Sequence, residues 1–315
     1  MKHTDRLFRP PMFSRRSVLS GLAATSVAAA FPLDIARAAN PLHMHKLHNT
    51  GETIPVIGLG SFLTLDVGDS PGQWRSRQQV VQAFLDEGGR MIDSSPMYGS
   101  SEKMIGRFLK RIANKQNLFA TTKVWTPTKW RGIEQMKNSR RYWGVKRFDL
   151  MQIHNLVDWE THMETLLAMK AEDRVRYIGV TTSHGRKHRT LEHVLKTQPI
   201  DFVQMTYNFL DREVEQRLLP IAKERNIAVI INRPFQRGGL FDHFENKPLP
   251  SWAGEIDCQN WAQFFLKFVV SHLAVTCAIP ATTRVDHLRE NMAAGRGRLP
   301  DAKTRKKMVQ YVESI

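Results

Sequence analysis

Short runs of β-branched and apolar residues recur along the chain, at Val56–Leu59, Met91–Asp93, Leu118–Thr122, Phe148–His154, Tyr177–Val180, Phe202–Thr206, Ala228–Asn232 and Val275–Ile279. Between them lie longer segments whose apolar positions return with the period of a helix. From the second run to the seventh the starts fall 25 to 30 residues apart, which is room for one strand, one helix and two short connections. Eight such units predict parallel strands with right-handed helical crossovers, an α/β fold that closes into a single (β/α)8 TIM barrel. Upstream, His43–Pro55 carries Asn49-Thr50-Gly51 at its centre, a turn signal that predicts a short hairpin before the barrel. Three connections are longer than the rest, 61–76, 123–131 and 233–257. In a barrel of this kind the connections leaving the strands build the active-site face.

The first residues do not share this pattern. Lys2, Arg6, Arg9, Arg15 and Arg16 precede an apolar run from Val18 to Phe31, and Ala36-Arg37-Ala38 offers the small-x-small site that suits signal peptidase. The run is shorter than the ~20 residues of a spanning helix. Residues 1–38 therefore read as an export signal rather than a permanent membrane anchor, with the barrel in 39–315. Ser14-Arg15-Arg16-Ser17-Val18-Leu19 resembles the twin-arginine export motif, with Val18 and Ser20 in place of its usual Phe and Lys. That resemblance implies passage through the export machinery for folded, cofactor-loaded proteins into the bacterial periplasm.

Composition narrows the picture further. With 42% hydrophobic and 24% charged residues the chain is globular, which excludes a fibrous or disordered protein. Cys258 and Cys277 are its two cysteines, with neither a CxxC pair nor a nearby His pairing, so neither a disulfide framework nor a structural zinc site is expected. Lys and Arg number 46 against 30 Asp and Glu, a net +16, which admits nucleic acid, an anionic membrane or a phosphorylated ligand. The basic stretch Lys303, Arg305, Lys306, Lys307 lacks interleaved aromatics and reads as a solvated helix face, so no nucleic-acid partner is expected. His43, His45 and His48 precede the barrel instead of ending a strand, and no metal is assigned to them.

Candidate chemistry gathers at the strand ends. Asp93 closes the second run, Lys123 the third and His154 the fourth, and Tyr98 lies five residues past Asp93. Converging at one rim, these four suit carbonyl reduction, because hydride addition produces an alkoxide that needs a proton donor. A free tyrosine, with a pKa of ~10, is a poor donor near neutrality. An ammonium beside the phenol lowers its pKa, and a carboxylate holds that ammonium in place. Lys123 and Asp93 are placed to do this for Tyr98, and His154 to donate a hydrogen bond to the substrate oxygen.

At these residues the chain resembles the aldo-keto reductase family. The match runs in order through IPVIGLGSF, the stretch from Asp93 through Pro96-Met97-Tyr98-Gly99 to Glu102, FATTKVW, DLMQIHN, YIGVTT, FVQMTYN, INRPF and IPATTRVDHLREN. The resemblance implies Tyr98 as general acid, Lys123 and Asp93 as its tuning partners, His154 as substrate orienter, and hydride from a nicotinamide cofactor to a small carbonyl substrate. It also places Thr181, Thr182 and Gln204 at the nicotinamide carboxamide, Thr182 standing where the family usually has Asn.

A helix beginning near Arg284 would aim its amide dipole at a phosphate, with Thr282, Arg284 and Asn291 around it. The family commonly carries a Lys directly after Pro280 and an Arg further on, where this chain has Ala281 and His287. Arg284 and Arg289 keep positive charge there, so NADP is expected over NAD. Arg233 stands beside the position of a stacking Tyr in many members and is expected to reach the pyrophosphate. Phe62, Trp74, Trp125, Trp130, Phe235, Phe241, Phe244 and Trp252 are expected to wall a pocket for apolar or aromatic carbonyls. The reading from a different class is a cofactor-binding regulatory or structural subunit with little turnover.

Overall fold

A computed structural model describes residues 40–315. The export signal expected in 1–38 lies outside the described residues.

The chain opens with the hairpin, β1 (Met44–Lys46) against β2 (Thr53–Pro55), antiparallel with Met44 opposite Pro55. Eight parallel strands follow: β3 (Leu59–Gly60), β4 (Met91–Asp93), β5 (Phe119–Val124), β6 (Phe148–Ile153), β7 (Val175–Thr181), β8 (Phe202–Thr206), β9 (Ala228–Asn232) and β10 (Cys277–Ala278). They lie in sequence order, each beside its predecessor. The first and last meet through a parallel bridge between Ile57 and Ala278, where Gly58 N–H donates to Ala278 O at 2.8 Å and Gly60 N–H to Pro280 O at 3.0 Å. The sheet is thereby closed into the expected barrel, and no edge is left open.

Alternation along the strands sorts the interior into layers. Met91, Phe119, Leu150, Tyr177, Phe202, Ile230 and Cys277 form one apolar cluster inside the barrel, with Leu47 and Ile54 of the hairpin beneath it. Phe119 packs on Tyr177 and Phe202 at centroid distances of 5.9 Å each. The hairpin is fastened at this end, since Tyr177 Oη donates to Glu52 Oε2 at 2.9 Å and Arg176 pairs with Glu52 and Asp149 at 2.5 Å each. Two residues further along β4, β6 and β8 come Asp93, Gln152 and Gln204, all buried. An apolar floor thus carries a polar layer toward the other end of the barrel.

The connections differ in part from expectation. The first and third are long: 61–70 precedes the helix Pro71–Asp86, and 233–257 folds its own short helix, Gly239–Phe244. The second is not. β5 runs on to Val124 and the next helix starts at Lys129, so Lys123 sits within the strand and Trp130 on an exposed helical turn. The Thr121-Thr122-Lys123 stretch pairs fully with β6, and that pairing carries the strand past the point where its apolar run ends.

Phe202→Ala would open a void in the interior layer. A loss of about 3–5 kcal/mol is expected, read as a lower urea midpoint at unchanged slope; a loss below about 1 kcal/mol would contradict the layer described here.

Candidate active site

Asp93, Tyr98, Lys123 and His154 meet at the mouth of the barrel. Lys123, with no exposed surface, donates from Nζ to Asp93 Oδ2 at 2.5 Å and to Ser94 O at 2.7 Å. The other carboxylate oxygen, Oδ1, accepts from Gln204 Nε2 at 3.0 Å and Gln152 Nε2 at 3.2 Å. Every contact is charge-assisted, which suits a pair removed from water. Burial alone would depress the Lys123 ammonium, but Asp93 and Tyr98 outweigh it and raise its pKa. It is a fixed positive charge.

Tyr98 is set over that charge, its ring centroid 5.1 Å from Lys123 Nζ. The turn that carries it is built locally: Tyr98 N–H donates to Ser95 O at 2.9 Å and Ser101 N–H to Tyr98 O at 3.0 Å. Gly99 follows at φ 55°, a conformation that favours glycine, and its missing Cβ leaves room for the Asp66 carboxylate beside it. Asp66 in turn accepts from the Ser100 N–H and hydroxyl at 2.8 and 2.7 Å. Buried Glu102, on the helix Ser101–Leu109, accepts from Thr122 at 2.6 Å and Ser139 at 2.8 Å, tying the tyrosine's helix to the lysine's strand.

The phenol differs from expectation in one respect. Lys123 does pull its pKa down, but loss of water raises it more, and Asp93 adds to the rise, so the net direction is upward. Tyr98 is therefore held in its protonated form near neutrality. His154 opens a short 3-10 turn just past β6. Its ring stands edge-on to Tyr98, centroids 5.7 Å apart at 86°, and Nδ1 lies 2.8 Å from Ser95 Oγ.

Tyr98, His154 and Asp93 line a cavity of about 550 Å³ with Thr181, Thr182, Gln204 and Arg233. Gly60 also lines it, where a Cβ would come 2.7 Å from Ile279 O. Thr181 Oγ1 accepts from Asn155 N–H at 3.0 Å, and Gln204 Oε1 accepts from Asn232 Nδ2 at 3.4 Å. Arg233, at φ 50°, donates from Nη2 to Gln236, while its Nε and Nη1 are buried without a partner. Burial and neighbouring Arg237 depress its pKa. A guanidinium left so, with Arg186 and Arg237 also lining the cavity, suits an anionic ligand such as a dinucleotide pyrophosphate.

Thr282, Arg284 and Asn291 lie outside this lining. Arg284 flanks the helix Val285–Ala294, where Asn291 is buried, and Arg284 N–H donates to Thr282 Oγ1 at 3.2 Å. The Arg284 guanidinium is paired with Asp286, its Nε 3.0 Å from Oδ1, and Arg289 lies 3.8 Å from Glu87. The expected aromatic wall is also only partly present. Phe62, Phe235 and Phe241 line the cavity. Trp125 stands 6.3 Å from the His154 ring, centroid to centroid. Trp74 instead packs under Arg75, Arg107 and Arg111, Phe244 against Trp261 and Phe265, and Trp252 against Phe264 with Lys307 above it.

Gln152 and Ser95 were not among the candidate residues. Gln152 was legible as a polar residue inside an otherwise apolar run, two positions before His154. Nothing in the spacing singles out Ser95.

The fold and site together are those of an α/β barrel with a buried ammonium under a cavity-lining tyrosine at its mouth. Residues 56–307 match the aldo/keto reductase family, and the chain belongs to that family of NAD(P)-dependent enzymes. It is 26% identical over 209 residues to aldo-keto reductase YhdN of Bacillus subtilis, spanning 61% of this chain and 62% of that relative. Over 299 residues it is 24% identical to the NADP(+) aldo-keto reductase yakc of Schizosaccharomyces pombe, 80% of this chain and 86% of the relative. Its fold matches an aldo-keto reductase of Klebsiella pneumoniae solved with NADP and acetate, with a TM-score of 0.71 at 21% identity over 83% of this chain and 92% of that one.

His154 yields a direct check of this geometry. Burial, with the Lys123 ammonium nearby, pushes its pKa down from 6.5 to about 3. The unfolded chain takes up a proton here near pH 6.5 and the folded chain not until about pH 3, so this group makes folding less favourable as the pH falls between the two. Proton NMR of the His154 ring is expected to show no titration from about pH 8 to about pH 5. A midpoint near the ordinary histidine value would contradict the buried, neutral ring.

Proposed function

We propose that this protein reduces an aldehyde or ketone to the alcohol, with Tyr98 as proton donor and NADPH as the preferred reductant. The observation that carries the reading is the buried Lys123–Asp93 pair directly beneath a cavity-lining phenol. A bound reduced nicotinamide supplies the hydride. His154, neutral, donates a hydrogen bond to the carbonyl oxygen and holds it beside Tyr98. Tyr98 gives its proton to that oxygen as the carbonyl carbon is reduced, and the Lys123 ammonium stabilises the phenolate until solvent returns a proton. Asp93 keeps the ammonium charged and in place.

Arg233 would hold the dinucleotide, its buried, unpartnered nitrogens being free to donate to phosphate oxygens. Thr181, Thr182 and Gln204 would hold the carboxamide, and Thr282, Arg284 and Asn291, at the start of and within the helix Val285–Ala294, would hold the adenosine phosphate. The Arg284–Asp286 pair is exposed and such pairs are weak, so a phosphate would compete with Asp286 for the guanidinium. NADP is on this basis preferred over NAD. The Arg15-Arg16 pair further suggests export to the periplasm as a folded, loaded protein.

Three measurements test these readings. Tyr98→Phe is expected to retain cofactor affinity while kcat for an aromatic aldehyde falls on the order of 10²- to 10⁴-fold. Lys123→Met is expected to impair kcat as well, and the double variant to lose no more than the worse single one, because both act through one proton. Undiminished turnover by Tyr98→Phe would refute the mechanism. Nucleotide-bound wild type without turnover across a broad carbonyl panel would favour the regulatory-subunit reading. Titration of NADP and NAD by tryptophan fluorescence is expected to give tighter NADP; equal or tighter NAD would mean that Ala281 and His287 have removed the phosphate site. A reporter fused to residues 1–40 is expected to lose export when Arg15 and Arg16 are both replaced by Lys, and undiminished export would sink the signal assignment.

A further inference from the structure

A neutral imidazole carries one N–H, on Nδ1 or on Nε2, and His154 can donate into the cavity only from the nitrogen that faces it. Nδ1 is turned to Ser95, 2.8 Å from its hydroxyl. Nε2 has no protein partner among the described residues. The direction of the Ser95–His154 hydrogen bond therefore decides whether the cavity meets a donor or a lone pair.

The surroundings of Ser95 fix that direction. Ser95 has no exposed surface, so water does not compete for its hydroxyl. Its oxygen already accepts the Met97 N–H at 3.2 Å, and its single proton has one acceptor within reach, His154 Nδ1. If Nδ1 carried the proton instead, Ser95 Oγ would accept twice and its own proton would be left buried without an acceptor, which is unfavourable. With the hydroxyl donating, the ring must carry its proton on Nε2.

We propose that Ser95 is a positioning residue that holds His154 in the Nε2–H tautomer, so that the substrate carbonyl meets a donor. This rests on the reductase reading for its catalytic consequence but not for the tautomer itself. The same serine shapes the turn that carries Tyr98, through the Met97 N–H, so loss of the hydroxyl acts on two features and the conservative variant is needed to separate them.

The test uses the full chain with ¹⁵N-labelled histidine, the His154 signals being assigned by their absence in His154→Gln. Long-range ¹H–¹⁵N spectra of wild type are expected to show a protonated Nε2 and an unprotonated Nδ1. In Ser95→Ala the ring is expected to populate both tautomers, with kcat reduced about tenfold, short of the 10²- to 10³-fold that follows outright removal of such a donor, and with cofactor affinity unchanged. Ser95→Thr keeps the hydroxyl and is expected to restore both the spectrum and kcat. An Nδ1–H ring in wild type would overturn the proposal, as would Ser95→Ala keeping a pure Nε2–H ring at full turnover. Should wild type prove inactive, the reductase reading fails while the spectra still decide the tautomer.

Discussion

An ammonium and a carboxylate taken wholly out of water hold this barrel mouth together. Lys123 and Asp93 are 2.5 Å apart with almost no exposed surface, and such a pair persists only with further hydrogen bonds around it. Gln152, Gln204 and the Ser94 carbonyl supply them. The pair and these partners sit on or just past β4, β5, β6 and β8, so the charge is only as well placed as the barrel is closed. Closure through Ile57 and Ala278, and the apolar floor of Phe119, Tyr177 and Phe202, are in this sense conditions of the chemistry.

From that fixed charge the site builds outward to groups with one role each. Tyr98 keeps its proton because lost water outweighs the nearby ammonium. His154 stays uncharged because burial and the same ammonium oppose a second positive charge. One buried cation thus bears on both residues that would meet a substrate oxygen. Farther out, the arginines change the character of the cavity: Arg233 has unpartnered buried nitrogens and Arg237 stacks over Phe62 at 4.8 Å. This is a wall for anionic as well as apolar matter.

Much of this was legible in the chain. Strand period and spacing pointed to eight parallel units, and strand ends to Asp93, Lys123 and His154, because the ends of barrel strands necessarily share a rim. The parts that escaped depend on tertiary context. The apolar run of β5 ends before Lys123, yet pairing with β6 extends the strand through it. Trp74, Phe244 and Trp252 look like pocket residues in a linear reading but find partners in neighbouring helices. The sign of the Tyr98 shift needed the balance of burial against charge, and the Arg284–Asp286 pairing needed the geometry of a helix start. Ser95 is one small polar residue in a turn, and only its 2.8 Å contact distinguishes it.

The central claim is that a proton held at this buried cluster passes to a bound carbonyl as it is reduced. Its most direct test is a single turnover in which the protein, preloaded with reduced NADP, is mixed with an aromatic aldehyde in H₂O and in D₂O while nicotinamide absorbance is followed. The account predicts a stoichiometric loss of absorbance that is slower in D₂O. Loss at the same rate in both solvents, or no loss with cofactor bound, would contradict it.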